Sequence, residues 1–60
     1  MKKKYKLFDL YECYGTVGYY DTMQEVRKAI REWNEATDGE CNLIVMEWSE
    51  VYSTYCVKRS

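Results

Sequence analysis

The stretch YGTVGYYDT, residues 14–22, decides which fold the sequence predicts. If residues 17–20 form a strand that pairs with the segment before them, the order of elements is ββαββ; if they form a loop, the order is βαββ. Valine and tyrosine favour a strand because they pack well on a pleated surface. We therefore expect a two-layer α+β fold, in which one helix packs on one face of a mostly antiparallel sheet of three to four strands. The order ββαββ is preferred, with βαββ as the alternative.

The two glycines in this stretch raise the question of a binding loop. Gly15 and Gly18 have the G-x-x-G spacing with which KH domains clamp a nucleic-acid backbone, but that clamp joins two helices and this one follows a strand-like segment. A phosphate loop places its glycines at a helix N-terminus, and Asp21, which precedes the helix here, would repel an anion. A turn that uses glycine for its positive φ is therefore the favoured interpretation.

The helix that follows has a defined start and end. Thr22 and Glu25 have the spacing of a capping box, in which each side chain bonds a backbone N–H of the first turn. An apolar stripe with helical spacing predicts the buried face, and it consists of Met23, Val26, Ala29, Ile30, Trp33 and Ala36. Gly39 is placed to take the left-handed position that ends many helices.

Three further segments have the composition of strands. They are residues 4–13, 42–48 and 51–57, the last two joined by a turn at Ser49-Glu50. The segment 42–48 carries apolar side chains on both faces, such as Leu43 on one and Ile44 on the other. One helix can cover only one face of the sheet, so the other is a candidate interaction surface.

Length and composition place the chain among small globular proteins. Sixty residues make a single domain, residues 1–60, whose core is small. Seven Tyr, two Trp and one Phe offer dense aromatic packing in place of a larger core. No apolar run approaches the ~20 residues that span a bilayer, and the basic N-terminus is not followed by the apolar segment of a signal peptide. We expect a cytoplasmic protein.

Residues that catalyse reactions or bind metals are scarce. The chain has no histidine, so a Cys–His nucleophile is excluded. Cys13, Cys41 and Cys56 converge at one edge of the predicted sheet, but they include no C-x-x-C pair of the kind that holds zinc. Reduced thiols buried as small hydrophobic groups are the favoured interpretation. We expect no catalytic residues, no metal and no cofactor, and therefore a protein that is not an enzyme.

The distribution of charge and aromatic residues predicts a surface for a protein partner. Residues 1–31 carry seven basic and four acidic side chains, a net charge of +3, whereas residues 32–60 carry two basic and six acidic ones, a net charge of −4. Acidic groups beside aromatic ones can steer and anchor a basic partner. The predicted partner-binding residues are Tyr19, Tyr20, Trp48, Glu32, Glu35, Asp38, Glu40, Glu47 and Glu50. The open sheet face could also join two copies of the chain in a homodimer.

Nucleic-acid binding is the alternative function, because basic residues alternate with aromatic ones. The residues that would contact the nucleic acid are Lys2, Lys3, Lys4, Lys6, Arg27, Lys28 and Arg31. Against this alternative, the net charge of the chain is −1, whereas nucleic-acid binders usually have a clear basic excess.

With the GYYDT stretch, the amphipathic helix, TDGE and NLIVMEW in this order, the chain resembles short uncharacterised proteins encoded by phages and mobile elements of gut Firmicutes. The resemblance covers about residues 5–48. The resemblance implies a small binding protein and no enzyme. Inhibitors of host defence systems, such as anti-CRISPRs, are among the functions that it implies. The YYDT start of the helix is also similar to strand-to-helix junctions in the arm-binding domains of phage integrases, from which this chain departs because those domains are basic.

Overall fold

The computed structural model describes residues 3–11 and 15–58. In chain order the elements are β1 (Tyr5–Asp9), β2 (Gly15–Tyr20), α1 (Met23–Ala36), β3 (Leu43–Ser49) and β4 (Thr54–Val57). The four strands form one sheet in the order β2-β1-β3-β4, and every neighbouring pair is antiparallel. The predicted two-layer α+β fold with the order ββαββ is confirmed, including the strand at residues 17–20.

The core lies between α1 and the sheet, mainly over β1 and β2. Leu7 of β1 and Val26 of α1 are fully buried, and Tyr5 is nearly so. Partly buried apolar side chains surround them: Val17, Tyr20, Met23, Ala29, Ile30, Leu43 and Val45. Burying one large aliphatic side chain contributes about 1.5–3 kcal/mol. A domain of this length has a net stability of only about 3–9 kcal/mol, so each of the fully buried residues matters.

A β-bulge in β2 sets which of its side chains reach this core. Leu7 pairs with Gly18 and Phe8 pairs with Thr16, so Val17 is an additional residue without a partner in the register. Strict alternation would put Val17 on the face opposite to Gly18. The bulge instead lets Val17 pack against the core. After the bulge the side chains alternate again, so that Tyr19 and Tyr20 lie on opposite faces of the sheet.

Strand β1 ends earlier than the segment 4–13 that was predicted. After Asp9 the chain turns, because the Asp9 carboxylate accepts a hydrogen bond from the N–H of Tyr11 at 2.8 Å, the geometry of an Asx turn. The N–H of Leu10 continues the pairing with β3 by donating to the Asn42 carbonyl at 2.9 Å. Cys13, which was predicted to end this strand, lies outside the described residues.

The start of α1 has the predicted capping box. The N–H of Glu25 donates to Oγ1 of Thr22, and the N–H of Thr22 donates to Oε1 of Glu25, each at 3.2 Å. Of the predicted apolar stripe, Val26 is the buried centre, whereas Ala36 in the last turn is exposed. Met23, Ala29 and Ile30 pack against the core beside Val26, whereas Trp33 donates a hydrogen bond to Asp9.

The end of α1 is a Schellman motif shifted by one residue from the prediction. The N–H of Gly39 donates to the Asn34 carbonyl at 2.9 Å, and the N–H of Asp38 donates to the Glu35 carbonyl at 3.3 Å. These two bonds make Asp38, with φ of 55°, the left-handed residue next to the cap Thr37, while Gly39 follows with φ of 81°. An aspartate thus occupies the position that glycine fits best.

The hairpin between β3 and β4 is wider than the two-residue turn predicted at Ser49-Glu50. Its loop comprises residues 50–53, and Ser53 has a positive φ of 52°. A two-residue hairpin turn needs residues such as Asn-Gly that accept positive φ, and this sequence offers none there. Val51 and Tyr52, predicted as strand, are instead 84% and 73% exposed at the tip of the loop.

Replacing Asp38 by glycine is expected to raise the free energy of unfolding by about 0.5–1 kcal/mol. Glycine adopts the left-handed conformation without steric cost, and the change also removes a negative charge from the negative end of the helix dipole. Equilibrium denaturation by urea, followed by circular dichroism, measures the change.

Asp38→Ala is the matched control. It removes the same charge but leaves a Cβ in the left-handed conformation, and we expect it to be less stable than Asp38→Gly by about 1 kcal/mol. Equal stability of the two variants would show that the backbone conformation at this position contributes nothing.

Candidate functional site

The candidate site is the face of the sheet that points away from α1, which we call the open face. Its members follow from the register, because residues paired across antiparallel strands share a face. Lys6 of β1 pairs with Tyr19 on one side and with Met46 on the other. Continuing this alternation, the open face consists of Lys6, Phe8, Thr16, Tyr19, Ile44, Met46, Trp48, Tyr55 and Val57.

Aromatic rings form a layer across the open face. The rings of Tyr19 on β2 and Tyr55 on β4 have their centroids 5.5 Å apart, so they meet above the two central strands. Trp48 packs edge-on against Tyr55 at 5.2 Å. The hydroxyl of Tyr55 donates to the Lys3 carbonyl at 2.7 Å, which fixes the position of its ring. Such aromatic pairs each add about 0.5–1.5 kcal/mol beyond the area that they bury.

One cation lies within this aromatic layer. The Nζ atom of Lys6 is 5.5 Å from the ring centroid of Phe8, 5.8 Å from that of Tyr19 and 5.9 Å from that of Tyr55. At these distances the faces of the rings attract the ammonium group. The other eight described residues of the open face are uncharged, so Lys6 is the charged member of this set.

The two tyrosines predicted to contact a partner lie on opposite sides of the sheet. Tyr19 is 48% exposed on the open face, whereas Tyr20 packs against the core on the other face. Trp48 also lies on the open face and is half-buried. The Tyr20 ring also covers Gly18, where an added Cβ would lie 2.6 Å from the tyrosine hydroxyl oxygen. Gly18 therefore makes room for Tyr20. Both glycines of the G-x-x-G spacing lie within β2, so the spacing does not form a clamp loop.

The predicted acidic residues are divided among several parts of the surface. Glu32 and Glu35 are exposed on α1, Asp38 and Glu40 lie in the loop after it, and Glu50 lies in the β3–β4 loop. Glu47 is different, because it is half-buried between two lysines, 3.4 Å from Nζ of Lys58 and 3.8 Å from Nζ of Lys4. The structure does not bring these carboxylates together beside the open face.

The basic residues of the nucleic-acid alternative are also divided. Lys6 lies on the open face, whereas Arg27, Lys28 and Arg31 lie on α1 in the other layer. Lys3 pairs with Asp21 at 3.0 Å, and this contact raises the pKa of Lys3 through a hydrogen bond and a charge interaction. Lys2 lies outside the described residues. Lys6 and the three basic residues of α1 therefore lie in different layers of the fold.

The thiols do not form a site in the described part of the chain. Cys41 and Cys56 are free and only half-buried, and the register places Cys56 opposite Glu47 while Cys41 precedes β3. Cys13 lies outside the described residues. Within residues 3–11 and 15–58, no three Cys, Asp or Glu side chains are grouped so that they could hold a metal ion. In the same residues, no helix has the length and apolar character needed to cross a membrane.

Asp9 is a buried charged residue that the sequence analysis did not single out. It is 1% exposed, and its carboxylate accepts hydrogen bonds from the Tyr11 N–H at 2.8 Å, the Asn42 N–H at 2.9 Å and Nε1–H of Trp33 at 2.7 Å. Burial acts to raise the pKa of Asp9, but the three donors outweigh it and hold the pKa below its usual range. The only signal in the sequence is an aspartate among the apolar residues of the segment LFDL, residues 7–10.

Comparison with other proteins adds no relative. No protein-family model, no curated protein and no solved structure matches the chain.

Replacing Asp9 by asparagine is expected to lower the melting temperature by several degrees at pH 7, because an amide nitrogen, which cannot accept, replaces one of the two oxygens that accept from the three donors. Since the pKa of Asp9 is lowered in the folded state, its ionisation stabilises the fold above the unfolded pKa of about 4, and this stabilisation is lost as the pH falls through the folded pKa. The difference in melting temperature between wild type and Asp9→Asn should therefore shrink below about pH 4. Thermal denaturation from pH 7 to pH 2.5 measures it.

Trp33→Phe serves as the control, because it removes one donor and leaves the carboxylate in place. We expect a smaller loss of stability at pH 7 than for Asp9→Asn. A difference between wild type and Asp9→Asn that stays constant down to pH 2.5 would contradict the assigned role of the ionised carboxylate.

Proposed function

We propose that this protein is a non-catalytic protein-binding module, and that its open face is the surface that contacts the partner protein. The observation that supports the proposal is the layer of aromatic and aliphatic side chains on the sheet face opposite α1. Aromatic residues are enriched at the centres of protein interfaces, where they supply much of the binding energy.

The aromatic layer is organised before any partner arrives. The Tyr55 ring is held by its hydrogen bond to the Lys3 carbonyl and by contacts with the rings of Tyr19 and Trp48. Binding a partner therefore orders few additional rotamers, and each side chain that is already ordered saves about 0.5–1.5 kcal/mol. Tyr19 and Val57, 48% and 55% exposed on the two edge strands, leave apolar area for the partner to cover.

The resemblance to short phage and mobile-element proteins suggests one form of this function. Under the proposal, the protein occupies a surface of a host protein and blocks its activity, as an inhibitor of a defence system would. Occupying a surface requires a largely apolar face that is already ordered, and the aromatic layer of the open face supports this form of the proposal.

A small nucleic-acid-binding regulator is the second candidate. It is favoured by one observation: the Lys6 ammonium lies among rings on which bases could stack, as they do on the sheets of RRM domains. It ranks second because the net charge is −1 and because the other basic residues of the described chain lie on α1 or pair with carboxylates.

The experiment compares three forms of the protein immobilised for affinity purification from a lysate of the source cells: wild type, Tyr19→Ser and Tyr52→Ser. Both substitutions remove an exposed tyrosine ring, the first on the open face and the second at the tip of the β3–β4 loop. We expect a partner protein that is retained by wild type and by Tyr52→Ser, and reduced at least about tenfold by Tyr19→Ser, as for a central interface residue.

Retention by Tyr19→Ser together with loss by Tyr52→Ser would move the contact to the loop and contradict the proposal.

A salt titration against duplex and single-stranded DNA tests the second candidate. Binding that persists at physiological salt, with a steep dependence of affinity on salt concentration, would favour nucleic acid over a protein partner.

A further inference from the structure

Lys6 occupies the centre of the open face and keeps its hydrogen-bonding capacity. It lies on the central strand β1, between its register neighbours Tyr19 and Met46. In the described part of the chain its Nζ atom has no carboxylate within ion-pair distance and donates no hydrogen bond to a protein acceptor. The aromatic rings attract its charge but accept no conventional hydrogen bond, so three N–H donors remain available to water or to a partner.

A partner that covers the open face also removes the Lys6 ammonium group from water. If the partner were wholly apolar there, binding would remove the Lys6 charge from water without compensation, and burying an unpaired charge is costly. If the partner places a carboxylate at Nζ, the charge is paired as it is buried, and the hydrogen bonds are charge-assisted. The open face therefore favours one class of partner over the others.

We infer that the open face recognises a polypeptide segment that presents an aspartate or glutamate side chain between apolar residues, with the carboxylate bound to Nζ of Lys6 and the apolar residues packed on the surrounding rings. The inference rests on the proposed function and adds the chemistry of the partner. Lys6 supplies the specificity, and Phe8, Tyr19 and Tyr55 supply the apolar contact area around it.

A second copy of the chain fits this face less well. A two-fold contact brings the same face against itself, so both Lys6 ammonium groups would be buried. Among the described residues of the open face, none carries a carboxylate that could pair them. A nucleic acid would meet one cation on this face, while the chain as a whole carries a net charge of −1. A short acidic and apolar peptide segment pairs the single cation and covers the rings at the same time.

The probe is a displayed library of random 12-residue peptides, selected for binding to the immobilised wild-type protein. Enriched peptides are synthesised, and their dissociation constants are measured against wild type, Lys6→Gln, Lys6→Arg, Tyr19→Ser and Lys28→Gln. Lys28→Gln is the matched control, because it removes an exposed lysine from α1 in the other layer. Circular dichroism of each variant verifies that it is folded.

We expect the enriched peptides to share an acidic residue flanked by apolar ones. Changing that residue to its amide should weaken binding at least about tenfold, as should Lys6→Gln, because either change leaves one buried charge unpaired. The two changes together should cost little more than one of them, since they remove the same contact. Lys6→Arg, which keeps the charge, and Lys28→Gln should retain binding.

The outcomes separate this inference from the proposed function. Peptides that lose affinity with Tyr19→Ser but bind Lys6→Gln as tightly as wild type, or that share no acidic residue, would overturn the inference and leave the protein-binding face in place. Peptides unaffected by either substitution would overturn both. Two further outcomes would also overturn the inference. One is a wild-type dimer in analytical sedimentation that the substitution Tyr19→Ser dissociates. The other is an oligonucleotide, instead of a peptide, that binds in a Lys6-dependent manner.

Discussion

The carboxylate of Asp9 is the contact on which the arrangement of the two layers depends. It lies at the end of β1 and receives hydrogen bonds from the indole of Trp33 on α1, from the N–H of Asn42 just before β3, and from the N–H of Tyr11 just after β1. A buried carboxylate surrounded by donors keeps its charge and fixes the direction from which each donor approaches. The last half of the helix, the start of β3 and the turn after β1 are therefore held at one point, in a domain whose fully buried apolar core is very small.

The chain covers the two faces of its sheet in different ways. On one face the helix supplies the apolar stripe that encloses Leu7, as in any two-layer α+β fold. On the other face the strands cover themselves, because the tyrosines of the two edge strands lean across the centre and meet. The described residues contain one helix, and aromatic side chains are the largest apolar groups that a strand can carry. The same layer that covers the sheet is also the surface that we propose for a protein partner.

The sequence predicts the features whose causes are local. The capping box, the apolar stripe and the strand preference of residues 17–20 each depend on a few neighbouring residues, and all three are present. The features that were missed depend on distant partners or on backbone conformation. Val17 reaches the core through a bulge that only the register with β1 defines, and the left-handed residue after α1 is Asp38 because the last turn closes one residue early. The bond between Asp9 and Trp33 and the rings around Lys6 require the strand order, which alternation of side chains along each strand cannot supply.

The contact between Tyr19 and Tyr55 has a consequence for the kinetics of folding. It joins the second strand of the chain to the last, and these two strands are neither consecutive in sequence nor adjacent in the sheet. In the native geometry the rings meet above β1 and β3, so we expect this contact to form after these strands have paired and β4 has been added, when most of the loop-closure entropy has been spent. Interactions that are absent from the folding transition state slow unfolding and leave the folding rate unchanged. The aromatic layer therefore contributes to the lifetime of the native state more than to the speed with which the native state is reached.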